Sequence, residues 1–301
     1  MIDDGSTDGT AAVAAALIAE IAATAGEPRL TLLAAGPLPA GWRGKVHALW
    51  VGAQGVATPW LLLTDADARH HPELLARALA AAAAGGLDAV SVAGWQEARG
   101  MGENLIVPPV FALLDAVLGD WRAAAAGGGP PVASGQFLLV RREAWDAAGG
   151  FPTIRGAPID DVALAVRLRA HGGRTAFFRA PDLLRVRMYR GGGAAVQGWR
   201  RNLGAIFGPR PAAAAAPLAF LLLPPLALLA ALATGRWVEA ALLWGAGVAA
   251  SGLCRAGSGH PPGWALLYPL DALALAALLA AGVRDHRRGR LASWKGREIP
   301  V

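Results

Sequence analysis

Three acidic clusters have residue types and spacings that could do chemistry. The first is Asp3-Asp4-Gly5-Ser6-Thr7-Asp8-Gly9-Thr10, directly ahead of a helical run. Asp8 or Thr10 can cap first-turn amides there, which leaves the adjacent pair Asp3 and Asp4 without a local task. The second is Thr64-Asp65-Ala66-Asp67, which follows the apolar run Leu61-Leu62-Leu63. A strand ending at that point delivers Asp65 and Asp67 to the carboxyl rim of a sheet, where open α/β proteins bind ligands. On an extended segment, residues i and i+2 point the same way, so both carboxylates would address one site. Their mutual repulsion calls for a cation, and a hard divalent ion bridged to substrate phosphates meets that need. The third cluster is Asp160-Asp161, opening a helix. Two readings fit it: acids that interact favourably with the helix dipole, or a general base over a hydroxyl that attacks an electrophilic carbon.

Holding these groups in place requires strands that end where the acids begin. Runs rich in Leu and Val at 29–34, 59–64, 88–92, 135–140 and 174–178 predict strands. Alanine-rich stretches at 9–24, 44–55, 72–84, 142–148 and 160–171 predict helices between them. That alternation is the pattern of a parallel α/β sheet. Residues 101–120, broken by Pro108-Pro109, fit a membrane-surface helix and a core helix equally. His70 and His71 follow Asp67, yet magnesium and manganese prefer oxygen donors, so both are expected in a solvated loop. His47 and His171 fall on predicted helices as surface or packing residues.

The 301-residue chain carries 28 Lys+Arg against 22 Asp+Glu, a formal charge of +6. Hydrophobic residues make up 54% and charged residues 17%, against about 25% charged in an ordinary soluble domain. This composition excludes a disordered acidic tail and a disulfide scaffold, and Cys254 as the single cysteine excludes a cysteine zinc site. The apolar excess is concentrated. Between Leu203 and Val283 only five residues are charged: Arg210, Arg236, Glu239, Arg255 and Asp271. Within that region, stretches 211–234, 237–253 and 264–283 each approach the roughly 20 apolar residues that span a bilayer. Trp237, Trp264 and Tyr268 lie near their ends, at the level amphipathic rings prefer.

Basic residues flank these stretches: Arg200, Arg201 and Arg210 before them, then Arg284, Arg287, Arg288, Arg290, Lys295 and Arg297 after. Both flanks therefore read as cytoplasmic, which predicts a multi-pass protein of the cell (inner or plasma) membrane with its catalytic domain on the cytoplasmic side. Three full crossings would put the two flanks on opposite sides. One stretch is thus expected to be re-entrant or interfacial, and 211–234 is the candidate because Pro217, Pro224 and Pro225 interrupt it. Cations gathered at membrane flanks also argue against nucleic acid as a partner.

Taken in order, the acidic clusters and the loops between them resemble the family 2 glycosyltransferases. Further segments carry the likeness: Gly41-Trp42-Arg43-Gly44-Lys45-Val46-His47-Ala48-Leu49, Ser134-Gly135-Gln136-Phe137 with Arg141-Arg142-Glu143 and Gly149-Gly150-Phe151, and Gln197-Gly198-Trp199-Arg200-Arg201. The last stands where relatives have Gln-x-x-Arg-Trp, with Arg201 in place of the tryptophan. The apolar region and the closing Trp294-Lys295-Gly296-Arg297 resemble the hopene-associated subgroup.

The resemblance implies a GT-A (Rossmann-like) nucleotide-sugar-binding domain over residues 1–205, membrane-embedded helices over 206–283 and a basic tail over 284–301. It also implies an incomplete N-terminus, because relatives enter this fold through an apolar strand and a Pro-x-x-Asn-Glu-like loop before the paired aspartates. By the same resemblance Asp4, supported by Asp3, holds the nucleotide base, and Lys45 reaches the diphosphate. Asp67 and Asp65 hold Mg2+ or Mn2+. Asp161, preceded by Asp160, is the catalytic base. Gln136 lies on the acceptor side, and Gln197, Arg200 and Arg201 close over donor or acceptor. The implied activity is inverting transfer of a sugar from a nucleotide-sugar to a lipid or isoprenoid hydroxyl. A polyprenyl phosphate or polysaccharide acceptor, and an inactive membrane adaptor of the same fold, are its rivals.

Overall fold

A computed structural model describes residues 1–25, 30–118, 129, 131–289, 291–294 and 297–300. It divides into two compact units. Unit 1 comprises residues 1–64, 78–91 and 131–176; unit 2 comprises 65–77, 92–130 and 177–301.

The unit 1 elements begin with β1 (Ile2–Asp3), α1 (Thr10–Ala25), β2 (Leu33–Ala34), α2 (Gly44–Gln54) and β3 (Trp60–Leu63). Strand β1 pairs in parallel with β2. The Asp3 carboxylate accepts the Ser6 N–H at 3.2 Å, which folds the acidic loop back on itself. Asp8 caps α1 by accepting from the Thr10 N–H at 3.2 Å and its hydroxyl at 2.6 Å. A four-stranded sheet has the order β3-β7-β5-β8, with β5 at Ala89–Ala93, β7 at Leu138–Arg141 and β8 at Thr175–Arg179. Contrary to the parallel sheet expected, β7 runs antiparallel to both β3 and β5. Its apolar run Leu138-Leu139-Val140 is buried throughout, and such a run reads the same in either direction.

Helices α5 (Arg142–Ala147) and α6 (Asp160–Ala170) pack beside this sheet, with a 3-10 turn at Phe151–Ile154 between them. Val46, Leu61, Val140, Phe151, Leu164 and Leu168 share one core, each worth about 1.5–3 kcal/mol of burial. Gly150 has φ +54°, and a Cβ there would lie 2.9 Å from the Trp145 ring. Glycine lets the turn close over Trp145, whose ring meets Phe151 edge-on at 4.7 Å.

Unit 2 holds a three-stranded sheet of order β4-β9-β6, formed by Ala68–His70, Leu184–Val186 and Trp95–Gln96. Around it stand α4 (Gly100–Leu118), α7 (Gly192–Phe207), α8 (Ala215–Ala233), α9 (Trp237–Gly257) and α10 (Tyr268–Arg287). Helix α3 (Leu74–Gly85) begins in this unit, and β10 (Leu291–Trp294) pairs antiparallel with β11 (Arg297–Pro300). Ile106, Val110, Trp199, Leu203, Phe207, Leu275 and Leu279 form a core shared by α4, α7 and α10. Residues 101–118 are therefore a core helix on this face. Of the described helices, four are long and apolar enough to cross a membrane: Gly100–Val117, Pro211–Ala233, Trp237–Gly257 and Pro262–Arg287.

Candidate active site

In unit 1, Asp160 and Asp161 occupy the first turn of α6. The Asp161 carboxylate accepts the Gly135 N–H at 2.6 Å and the Val162 N–H at 2.8 Å. Gly135 lies three residues ahead of β7, so the strand that separates β3 from β5 also fixes the base candidate. Lys45, in the first turn of α2, places its Nζ 3.4 Å from an Asp160 oxygen. The lysine assigned to a diphosphate is thus ion-paired to the acidic dyad. Burial pushes the Asp161 carboxyl up to about 6, and the neighbouring Asp160 charge adds to the effect; Lys45 and the two N–H donors pull the other way. An acid held near neutrality serves proton transfer well.

Also in this unit, Gln136 is buried, and its carbonyl accepts the Thr64 hydroxyl at 2.9 Å. Asp3 and Asp4 are half-buried at the end of β1. His47 is buried between the rings of Trp42 and Trp50, a packing residue.

In unit 2, Asp65 and Asp67 follow β3, but not on an extended segment. The Ala68 N–H donates to the Asp65 carbonyl at 3.2 Å, closing a turn through Ala66 and Asp67. The side-by-side orientation expected for i and i+2 does not hold, because a tight reversal leads into β4. Asp65 is half-buried and Asp67 exposed. Among the described residues no three His, Cys, Asp or Glu gather as a metal cluster. Two oxygen donors of this kind suit a hard divalent ion that takes its remaining ligands from substrate phosphates and water, so the residues fit the cation inferred from sequence. His70 and His71 are exposed, as expected.

Helix α7 carries the Gln197-Gly198-Trp199-Arg200-Arg201 motif, and its side chains divide. Gln197 is exposed. Trp199 is buried, edge-on to Phe111 at 5.2 Å, and is a core residue rather than an interface anchor or a sugar platform. Arg200 pairs with Asp285 of α10. Arg201 donates to Asn202 Oδ1 at 3.3 Å, and Asn202 Nδ2 donates to the Tyr189 hydroxyl at 3.4 Å. The Tyr189 ring lies on Gly198, where an added Cβ would come within 2.2 Å of it. Burial pushes the Tyr189 phenol up to about 12, with the Asp67 charge adding to the rise and Arg201 opposing it. Asp67, Tyr189, Asn202 and Arg201 therefore form one electrostatic group. Sequence reasoning missed Tyr189 and Asn202; the glycine inside the motif was the available signal, since it marks a ring packed on the helix backbone.

The profile of the glycosyltransferase-like family 2 matches residues 2–189. No curated protein matches the chain in sequence. Among solved structures, the mannosyltransferase PcManGT from Pyrobaculum calidifontis, in complex with GDP-Man and Mn2+, is similar at 23% identity and a TM-score of 0.54, covering 94% of this chain and 76% of that one. Glucosyl-3-phosphoglycerate synthase from Mycobacterium tuberculosis, in complex with phosphoglyceric acid, is similar at 18% identity and a TM-score of 0.40, covering 68% and 66%. The fold is GT-A-like α/β with apolar C-terminal helices. With its family profile spanning well over half of its length, the chain belongs to the glycosyltransferase-like family 2.

Proposed function

We propose that the protein is a membrane-associated, inverting glycosyltransferase of the hopene-associated kind, moving a sugar from a nucleotide-sugar to a lipid or isoprenoid hydroxyl. The observation that carries this reading is Asp161: a half-buried carboxylate, anchored by two backbone N–H groups and raised to about 6, in a chain of this family. Asp161 takes the proton of the acceptor hydroxyl. The freed oxygen attacks the anomeric carbon opposite the departing diphosphate, and one in-line displacement inverts that centre. This differs from the two-step covalent route of retaining glycosidases.

Asp3 and Asp4 are assigned to the nucleotide base, and Gln136 to the acceptor side. Asp67 and Asp65 would hold Mg2+ or Mn2+, which neutralises charge on the leaving diphosphate when bound. The solved mannosyltransferase of similar fold is in complex with GDP-Man and Mn2+. Arg201, which like Asp67 acts on Tyr189, supplies further positive charge. With Arg200 committed to Asp285, the donor-facing role moves to Arg201, while Lys45 bears on the base through Asp160. Gln197, exposed on the same helix as Arg201, is left to contact the donor or acceptor. The exposed apolar helices support an acceptor that resides in lipid.

The test is a donor-consumption and lipid-product assay on the full chain in vesicles with added Mn2+. Asp161→Asn is expected to abolish product while retaining nucleotide binding, and Asp67→Ala to remove the response to metal. Full turnover in Asp161→Asn would refute the assignment.

A further inference from the structure

We infer that the chain enters the bilayer through one helical hairpin, α8–α9, and that α10 does not cross but runs from the flank of α9 back to the foot of α8. Both basic flanks then stand on one side. The inference goes beyond the transferase reading and does not depend on it, since every element concerned belongs to unit 2.

The levels of the helix ends carry the argument. Helices α8 and α9 have 19 and 21 residues and are joined by the tight turn Thr234-Gly235-Arg236. Antiparallel helices of nearly equal length bring their far ends, near residues 215 and 257, to the same level. The first of these feet meets the middle of α10, where Ala214, Leu218 and Leu221 share a core with Leu275 and Leu279, and Gly208, seven residues ahead of α8, abuts His286 near the C-terminal end. The second foot meets the N-terminal end of α10 through Arg255, which donates to Asp271 at 2.9 Å and to the Asn104 carbonyl of α4 at 3.0 Å. Beyond it, His260 Nε2 donates to the Gln96 carbonyl of β6 at 2.6 Å. The Tyr268 ring, at the start of α10, packs on Gly247 midway along α9, whereas the last turn of α10 lies beside Gly208 ahead of the first foot; α10 therefore runs back toward the feet and does not reach the far turn.

Close fastening along α10 agrees with this. Asp285 is bound by Arg200, and a Cβ on Gly282 would lie 2.5 Å from the Arg200 carbonyl. Helix α10 is thus seated directly on the polar α7. Helix α4 is excluded as a single crossing as well, because β6 before it and β9 after it pair in one sheet.

Exposure divides the four apolar helices the same way. Only 22% of the α8 span and 6% of the α9 span is buried, against 39% for α4 and for α10. Phe220, Leu223, Leu226, Val238, Leu242 and Leu253 are at least half exposed on the hairpin. Twenty-one helical residues reach about 32 Å, enough for the roughly 30 Å hydrocarbon core. The turn carries Trp237 and the Arg236–Glu239 pair at 3.0 Å, suited to the opposite headgroup layer. The occupant of this surface is the lipid bilayer. Two crossings also remove the conflict between span count and charge bias, with 268–287 rather than 211–234 as the stretch that does not cross.

Single cysteines introduced on a Cys254→Ser background test the arrangement, using full-length protein in intact cells and in sealed inverted vesicles with a membrane-impermeant maleimide. Arg210→Cys and Arg287→Cys are expected to label from the same side. Arg236→Cys and Glu239→Cys, two exposed positions that check each other, are expected to label at least tenfold more from the opposite side. Labelling of Arg210→Cys and Arg287→Cys from opposite sides would show that α10 crosses and overturn the inference. Labelling of both turn positions from the Arg210 side, or only after detergent, would overturn the crossing hairpin; the first outcome would point to a second copy of the chain covering that face instead.

Discussion

At the residue scale, Asp161 ties stability and activity to pH in opposite directions. Its folded value of about 6 exceeds the ordinary 3.8, so the native state binds the proton more tightly than the unfolded chain. Its contribution to stability is full below about pH 4 and is lost as pH rises through about 6. With Asp161 as the proposed base, activity is expected to need the carboxylate and to rise over the same interval. Thermal unfolding of the native protein is therefore expected to lose ground against Asp161→Asn between those values, while the rate profile of the native enzyme climbs. In the same variant, loss of base catalysis is expected to cost about 10²–10⁴-fold in rate. The two arginines at 200 and 201 separate by consequence. Arg201→Gln is expected to slow transfer with little change in unfolding temperature, whereas Arg200→Gln lowers that temperature because Asp285 is left buried without its cation.

At the element scale, α7 is shaped by a ring rather than by its own side chains. Gly198→Ala drives a methyl into Tyr189 and is expected to destabilise the protein by about 1–3 kcal/mol, measured by chemical unfolding in detergent. Gly193→Ala, on the same helix with open space around it, is the matched control and is expected to change little. The junction of α9 and α10 depends on a buried ion pair, Arg255 with Asp271, both at most 3% exposed. Removing one partner strands a buried charge, and Asp271→Ala is expected to cost about 3–5 kcal/mol. The double substitution Arg255→Met, Asp271→Leu is expected to recover most of that loss, since two apolar side chains leave no charge uncompensated. Additive losses in the double variant would count against a direct pair.

At the scale of the whole molecule, the proposed membrane residence rests on the α8–α9 hairpin. Leu226→Arg, at a half-exposed position midway along α8, puts a cation near the bilayer centre at about 2.5–3.5 kcal/mol. It is expected to raise the fraction released from membranes at high salt, read by sedimentation; Leu75→Arg, at an exposed position of α3, should not.

Local pattern made much of this legible. Strand runs such as 59–64 and 88–92 and the helices at 44–55 and 160–171 stand within one or two residues of their predicted bounds, because apolar runs and alanine-rich periodicity are properties of neighbours in sequence. The acidic clusters, the family and the lipid-compatible stretches were readable for the same reason. Chain reversal and partner choice were not. Nothing local told that β7 enters antiparallel, that Asp65-Ala66-Asp67 turns, that Lys45 meets Asp160, or that Arg200 is taken by Asp285 while Arg201 faces Tyr189. Apart from the Asp65 turn, which Ala68 closes locally, each of these is set by a residue between 12 and 115 positions away, and only the packed fold brings such pairs together.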